Sequence, residues 1–131
     1  GVELHGFLNY LVKSNQNKIK YTIYGYKGKQ VRDNIHSFDL VNCFWHFFKN
    51  PKKGKIYNIG GGRRNSCSIL EAMSLIEKKT KNKFNYKLSK EARKGDHQWY
   101  ITNDNKFKKD FPNWKIKYSL SKILDQIIKK R

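Results

Sequence analysis

Gly28-Lys29-Gln30-Val31-Arg32-Asp33-Asn34-Ile35-His36-Ser37-Phe38-Asp39-Leu40 is the stretch on which the fold turns. Gln30 to Ile35 alternates in character well enough for a β-strand. Asp39 stands directly before the apolar positions Leu40, Val41, Phe44, Trp45, Phe47 and Phe48, so it reads as the N-cap of a helix. That helix is apolar over a wide arc, which predicts burial on more than one side. Asn50-Pro51 ends it.

The same alternation of strands and helices continues outward. Upstream, Leu4, Phe7, Leu8, Leu11 and Val12 recur at helical spacing, and Asn15 to Asn17 close that helix with polar turn residues. Tyr21 to Tyr24 reads as a short strand and Gly25 to Gly28 as a turn. Downstream, Ile56 to Ile59 is short and apolar and reads as a buried strand running into Gly60-Gly61-Gly62. Ser68-Ile69-Leu70-Glu71 has the form of a capping box, with Ile69, Ala72, Met73 and Ile76 as the buried stripe of its helix. Phe84 to Leu88 predicts a strand, Lys90 to Gln98 a polar loop, and Trp99 to Ile101 a short extended piece. A short helix over about 104–109 breaks at Phe111-Pro112. Leu120, Ile123, Leu124, Ile127 and Ile128 define the last helix, whose Lys129, Lys130 and Arg131 suit the negative end of its dipole. Intermixed strands and helices without repeats make the class α/β, in a single unit over 1–131.

The chain has 131 residues and a formal net charge of +19, from 29 Lys+Arg against 10 Asp+Glu. Such a balance makes nucleic acid the first suspect, since Lys and Arg attract phosphate and release counterions. The lysines, however, are scattered over turns and helix ends and form no block, which reads as a solvated basic surface. A site for an anionic small molecule is the next reading, and a small nucleic-acid-binding module is the disfavoured alternative. No apolar stretch approaches the roughly 20 residues needed to span a bilayer. Cys43, inside the amphipathic helix, and Cys67, read as lying in a loop, lack partners at metal-ligand spacing and suit a reducing, cytoplasmic setting, so no metal is expected. The chain starts at Gly1 without an initiator methionine or signal segment, and is expected to be a piece of a longer protein.

Three blocks carry a resemblance: the Arg32 stretch, Ile56-Tyr57-Asn58-Ile59-Gly60-Gly61-Gly62, and Arg93-Lys94-Gly95-Asp96. In order, spacing and content they resemble the C-terminal half of extended short-chain dehydrogenase/reductases that act on nucleotide sugars, the NAD-dependent epimerase/dehydratase family. The resemblance covers nearly all of this chain but only the latter part of such an enzyme. It implies a C-terminal substrate-binding part lacking most of the Rossmann domain, with the N-terminal NAD-binding half absent. Some of the strands and helices here would complete the edge of the nucleotide-binding sheet in that other half. In the family, the arginine before Asp-x-x-His/Val-x-x-Asp and the arginine of Arg-x-Gly-Asp pinch the substrate's diphosphate, and these fall on Arg32 and Arg93. The resemblance also places His36 along the site and lets Arg63 and Arg64 assist with an anionic substrate. It implies NAD as cofactor, a CDP-sugar or related nucleotide sugar as ligand, and a homo-oligomer when complete. The implied reaction is epimerisation by transient oxidation at sugar C2 and re-reduction; other epimerisations and dehydration share the clamp and stay open.

The chemistry of the clamp is sound on its own terms. Two guanidinium forks on separate segments can hold neighbouring phosphoryl groups in a planar, bidentate way that lysine cannot reproduce. Asp33 either holds the strand-to-loop geometry or orients Arg32, and Asp96 stabilises its own turn. Gly60-Gly61-Gly62 lacks the ending of a Walker loop and the spacing of a dinucleotide fingerprint, so it reads as a turn needing positive φ and close backbone approach. His5, His46 and His97 are dispersed, and Trp99, Tyr100, Trp114 and Tyr118 read as packing residues. The chain has neither Gly-x-x-Gly-x-x-Gly nor a helical Tyr-x-x-x-Lys pair; Tyr86 and Lys90 have the bare spacing at a strand end. No catalytic residue is therefore assigned, and the chain alone is expected to be inactive.

Overall fold

The apolar spacing of Leu8, Leu11 and Val12 produces the first helix, α1 (Phe7–Gln16), and buries those three side chains. The computed structural model describes residues 7–25, 27, 29–90 and 99–130, with the side chains of Trp99 and Tyr100 excepted. After α1 come β1 (Tyr21–Tyr24), β2 (Val31–Asp33), α2 (Ser37–Lys49), β3 (Ser66–Ser68), α3 (Ile69–Thr80), β4 (Tyr86–Ser89), β5 (Trp99–Tyr100), α4 (Asn105–Asp110) and α5 (Leu120–Lys130). The class is α/β, as the alternating pattern implies. Leu4 and the loop 91–98 lie outside the described residues, as do Tyr26 and Gly28 of the expected turn; Gly25 has φ 70°.

Two small sheets organise the chain. β1 pairs in parallel with β4, Tyr21 opposite Tyr86. β2 is the middle of a three-stranded sheet, antiparallel to β3 and parallel to β5. α1, α3 and α5 pack with β1 around Leu11, Val12, Ile23, Ala72, Ile76 and Leu124, all buried. The capping box forms as written in the sequence: the Glu71 amide donates to Ser68 Oγ at 3.1 Å and the Ser68 amide donates to Glu71 Oε1 at 2.9 Å. It fixes the start of α3 directly after β3.

Asn15 departs from its expected role as a turn residue. It is buried in α1, donates to the Asn82 carbonyl at 2.8 Å and accepts from Thr80 Oγ1 at 2.9 Å, fastening α1 to the end of α3. A buried amide needs such partners, and these supply them.

A second cluster gathers Cys43, Phe107, Phe111 and Trp114, with Phe47, Tyr57 and Ile59 against it. Asp39 ties this cluster to the chain before α5, and here the expected N-cap is corrected. The cap is His36, whose Nδ1 accepts from the Phe38 amide at 2.9 Å. Asp39 lies in the first turn, fully buried, and accepts the amides of Lys117 at 2.9 Å and Tyr118 at 3.1 Å. Its carbonyl accepts the Trp114 indole N–H at 3.0 Å. Residue type pointed to a cap, but three long-range donors claim Asp39 for tertiary structure.

Two further expectations are overturned. α2 buries only Asp39 and Cys43, and its other apolar side faces solvent. Ile56 to Ile59 forms no strand, because no described strand lies beside it to complete a ladder. Conversely, β3 forms where the sequence placed Cys67 in a loop, since Ser66 to Ser68 lies against the β2 edge.

Candidate functional site

Arg32 occupies the centre of the middle strand, opposite Cys67 on one side and Tyr100 on the other. Beside it opens a cavity of about 300 Å³ lined by Phe7, Tyr21, Thr22, Tyr24, Gln30, Arg32, Asp33, Asn34, Cys67 and Ile69. The walls are aromatic and aliphatic, with the Arg32 guanidinium beside the Asp33 carboxylate, two side-chain amides, the Thr22 hydroxyl and the Cys67 thiol. This composition suits an organic anion: a flat apolar body against the rings and a charged group at Arg32.

The aromatic walls were not singled out in the sequence. Their signal was present, since Tyr21 to Tyr24 is the strand preceding the arginine block, but core packing accounted for such residues equally well. Gln30 was also missed. It stands two positions before Arg32, the spacing that puts side chains on the same face of an extended chain. It is buried and donates from Nε2 to the Tyr24 carbonyl at 3.2 Å, holding the two sides of the 25–29 connection together.

Asp33 supports the cavity from behind. Its Oδ2 accepts the amides of Gly62 and Thr102, each at 3.1 Å, so one carboxylate oxygen ties β2 to the glycine loop and to the chain after β5. Asn34 adds a bond from Nδ2 to the Asn65 carbonyl at 3.1 Å. Cys67, in the cavity wall, is pushed up to about 11 by burial and by the charge of Glu71, against a partial offset from Asn34. Cys43 is pushed up to about 11 by burial and Asp104. Both thiols stay protonated at neutral pH and serve packing.

The remaining expected residues lie elsewhere. Arg63 and Arg64 line a separate, wider cavity of about 1100 Å³ with Lys108, Lys115 and Lys117, not the one beside Arg32. His36 lines neither: it caps α2, stacks on Tyr118 with ring centroids 4.0 Å apart, and meets Gln126 Oε1 at 2.7 Å. Arg93 lies outside the described residues. β5 begins at Trp99, six positions after Arg93, and runs beside Arg32's own strand. Six residues reach at most about 21 Å.

Two of the three loop glycines are packed against the chain itself. A side chain on Gly60 would strike the Asp33 carboxylate and Thr102, and one on Gly61 would strike the Asn34 backbone carbonyl. The room that Gly60 and Gly61 leave is filled from within the chain, whereas Gly62, with φ 71°, has nothing within 4 Å of an added side chain. Among the described residues, no group of His, Cys, Asp and Glu could hold a metal ion, and no helix is long and apolar enough to cross a membrane.

The fold is shared with part of nucleotide-sugar epimerases and dehydratases of known structure, and residues 3–60 match the NAD dependent epimerase/dehydratase family. In sequence, the chain is 41% identical over 68 residues to CDP-paratose 2-epimerase of Salmonella typhi, a match covering 50% of this chain and 20% of that enzyme. In structure, it superposes on UDP-glucuronic acid 4-epimerase of Bacillus cereus, solved with UDP-glucuronic acid and NAD, with a TM-score of 0.81 at 24% identity. That match covers 96% of this chain and 40% of the other. dTDP-glucose 4,6-dehydratase of Bacillus anthracis, solved with NAD, gives 0.78 at 23% identity over 95% of this chain and 38% of its own length. The chain thus spans about two fifths of the length of these solved enzymes.

Proposed function

We propose that this chain is the substrate-binding part of an NAD-dependent nucleotide-sugar epimerase, with CDP-paratose/CDP-tyvelose 2-epimerase as the specific activity. Arg32 and Arg93 grip the diphosphate, and the cavity of Phe7, Tyr21 and Tyr24 receives an apolar part of the nucleotide. The observation that supports this reading is the β2–β5 register, in which Trp99 and Tyr100, six and seven positions after Arg93, pair with the strand that holds Arg32. A fixed diphosphate limits the wandering of a neutral sugar while it presents its second face. The 41% identity to CDP-paratose 2-epimerase supports inversion at sugar C2 by oxidation and re-reduction over the alternatives. NAD, present in the solved enzymes that share this fold, supplies that redox chemistry from the N-terminal half. The complete enzyme works as a homo-oligomer in the cytoplasm, and this part alone does not turn over.

The test is binding of CDP to the protein joined to its NAD-binding half. Arg32→Ala and Arg93→Ala should each weaken binding by roughly 1.5–3 kcal/mol, the worth of a charged hydrogen bond. Unchanged CDP affinity in both variants overturns the clamp.

A further inference from the structure

The wide cavity around Arg63 and Arg64 shares no lining residue with the one beside Arg32, so it is a cleft for a different ligand. Three segments build it: the glycine loop through Asn65, residues 101–105, and the chain over 112–119 ahead of α5. Side chains behind the walls fasten these segments to one another. Asp33 Oδ2 accepts both the Gly62 and the Thr102 amide. Buried Asn65 donates to the Tyr118 carbonyl at 3.0 Å and accepts the Leu120 amide at 3.0 Å. The shape of the cleft is therefore set before anything enters it, as a binding site requires.

Its charge is one-sided. Arg63, Arg64 and Lys115 stand exposed on the walls and form no ion pair among the described residues. Lys108 and Lys117 line the same cleft. Concave walls of one sign concentrate their field on an anion. A single phosphoryl group cannot engage cations on separate segments, whereas a row of them can. Ile101, Pro112 and Ile116 add apolar wall, and a volume of about 1100 Å³ has room for a whole nucleotide.

Asp104 narrows the choice of ligand. It lies on the wall at only 5% exposure, and its Oδ2 has no hydrogen-bond partner. The other oxygen meets Lys108 Nζ at 3.3 Å, long for a charge-assisted bond. Buried polar atoms are paired as a rule, so this carboxylate calls for a donor that the chain does not supply. Being acceptor-only, it takes a hydroxyl from the ligand. A Lys108 ammonium that turns towards a phosphate opens the carboxylate to that hydroxyl. A nucleic-acid backbone would instead carry its row of phosphates past an acid.

We propose that this cleft binds a nucleoside triphosphate, with the phosphates on Arg63, Arg64 and Lys115, a ribose hydroxyl on Asp104, and the base along the apolar wall. The site stands whether or not Arg32 grips a diphosphate.

The experiment titrates ATP into the 131-residue chain by calorimetry. One ATP should bind per chain. Arg63→Gln/Arg64→Gln should weaken it at least about tenfold, two charge-assisted contacts being lost, and Lys115→Gln should act in the same direction from another segment. Lys83→Gln/Lys87→Gln removes two exposed charges outside the cleft and should leave the affinity unchanged. All these side chains are exposed, so each variant should melt with the wild type. 2′,3′-Dideoxy-ATP should bind about tenfold more weakly than ATP, the worth of a hydrogen bond to a charged group. A chain that ignores millimolar ATP, or an Arg63→Gln/Arg64→Gln chain that binds it like the wild type, overturns the proposal. A Lys83→Gln/Lys87→Gln chain that loses as much affinity would reduce the binding to diffuse attraction by a basic surface. Equal affinity for ATP and its dideoxy form would remove Asp104 and, with it, the nucleoside. Oligouridylate that binds more tightly than ATP and displaces it would overturn the proposal in favour of nucleic acid.

Discussion

Arg32 and Tyr100 are register partners in the parallel ladder between β2 and β5. Parallel strands need a long crossover, and here the connection runs from residue 34 to residue 98. Two segments far apart in sequence are thereby held in one sheet, with the cavity of Phe7, Tyr21 and Tyr24 beside Arg32. A loop could not place a guanidinium as firmly as the middle strand of a sheet does.

The fork, not the charge alone, is what a clamp at Arg32 requires. Arg32→Lys keeps the cation but loses the planar pair of donors. CDP affinity in the full-length protein should fall about tenfold, the cost of one charge-assisted bond, measured by calorimetry. A lysine variant that binds as tightly as wild type would reduce Arg32 to a nonspecific cation.

Asp39 is a fastening whose loss should be felt in stability. Its carboxylate is fully buried and serves the Lys117 and Tyr118 amides. Asp39→Ala leaves both donors without a partner and should cost about 3 kcal/mol. Asp39→Asn keeps one acceptor and should cost less. Urea denaturation of both variants checks the order, and an alanine variant as stable as the asparagine one would remove the carboxylate from this role.

Elements that a local signal specifies were legible. The Ser68–Glu71 capping box and the stripe of α5 depend on neighbours in sequence and form as read, and the Tyr21–Tyr24 strand forms because β4 lies beside it. The errors fall where distant chain decides. Asp39 looks like a cap until Lys117 and Tyr118 arrive, and Cys67 sits in a loop until β2 offers an edge. Ile56 to Ile59 has the composition of a strand but finds no neighbouring strand among the described residues. The site divides in the same way. The arginine block was readable as a motif, whereas the separation of Arg63 from the Arg32 cavity depends on how the glycine loop turns around Asp33.

Alkaline pH should loosen the fold in a defined window. Burial holds Cys43 and Cys67 at about 11, above the ordinary 9.0. Tyr57 is pushed from 10.0 to about 12, first by desolvation and then by its 2.7 Å bond to Asp110. A raised folded pKa means that the native state binds the proton more tightly. Each contribution is therefore complete below the unfolded value and is lost as pH climbs through the folded one. Thermal stability should decline from about pH 9 and continue falling towards 12. The Cys43→Ala/Cys67→Ala protein should keep a flatter profile between 9 and 11. Equal slopes in the two proteins would show that the thiols do not govern this range.

Gly61 tests whether the glycine loop is a packing device. A methyl group there would overlap the Asn34 carbonyl and crowd Asn65, both backbone-anchored neighbours that cannot swing aside. At Gly54, with φ 74°, an added methyl meets nothing within 4 Å, so only the left-handed backbone opposes it. Gly54→Ala should cost about 1 kcal/mol. Gly61→Ala adds overpacking and should cost about 3 kcal/mol. It should also weaken CDP binding, because parting the loop from Asn34 breaks the Asp33–Gly62 bond behind Arg32. If the loop instead cradled phosphate with its own amides, Gly61→Ala would abolish binding while leaving the melting temperature near that of Gly54→Ala, and comparing the two variants by calorimetry and thermal melts separates these outcomes.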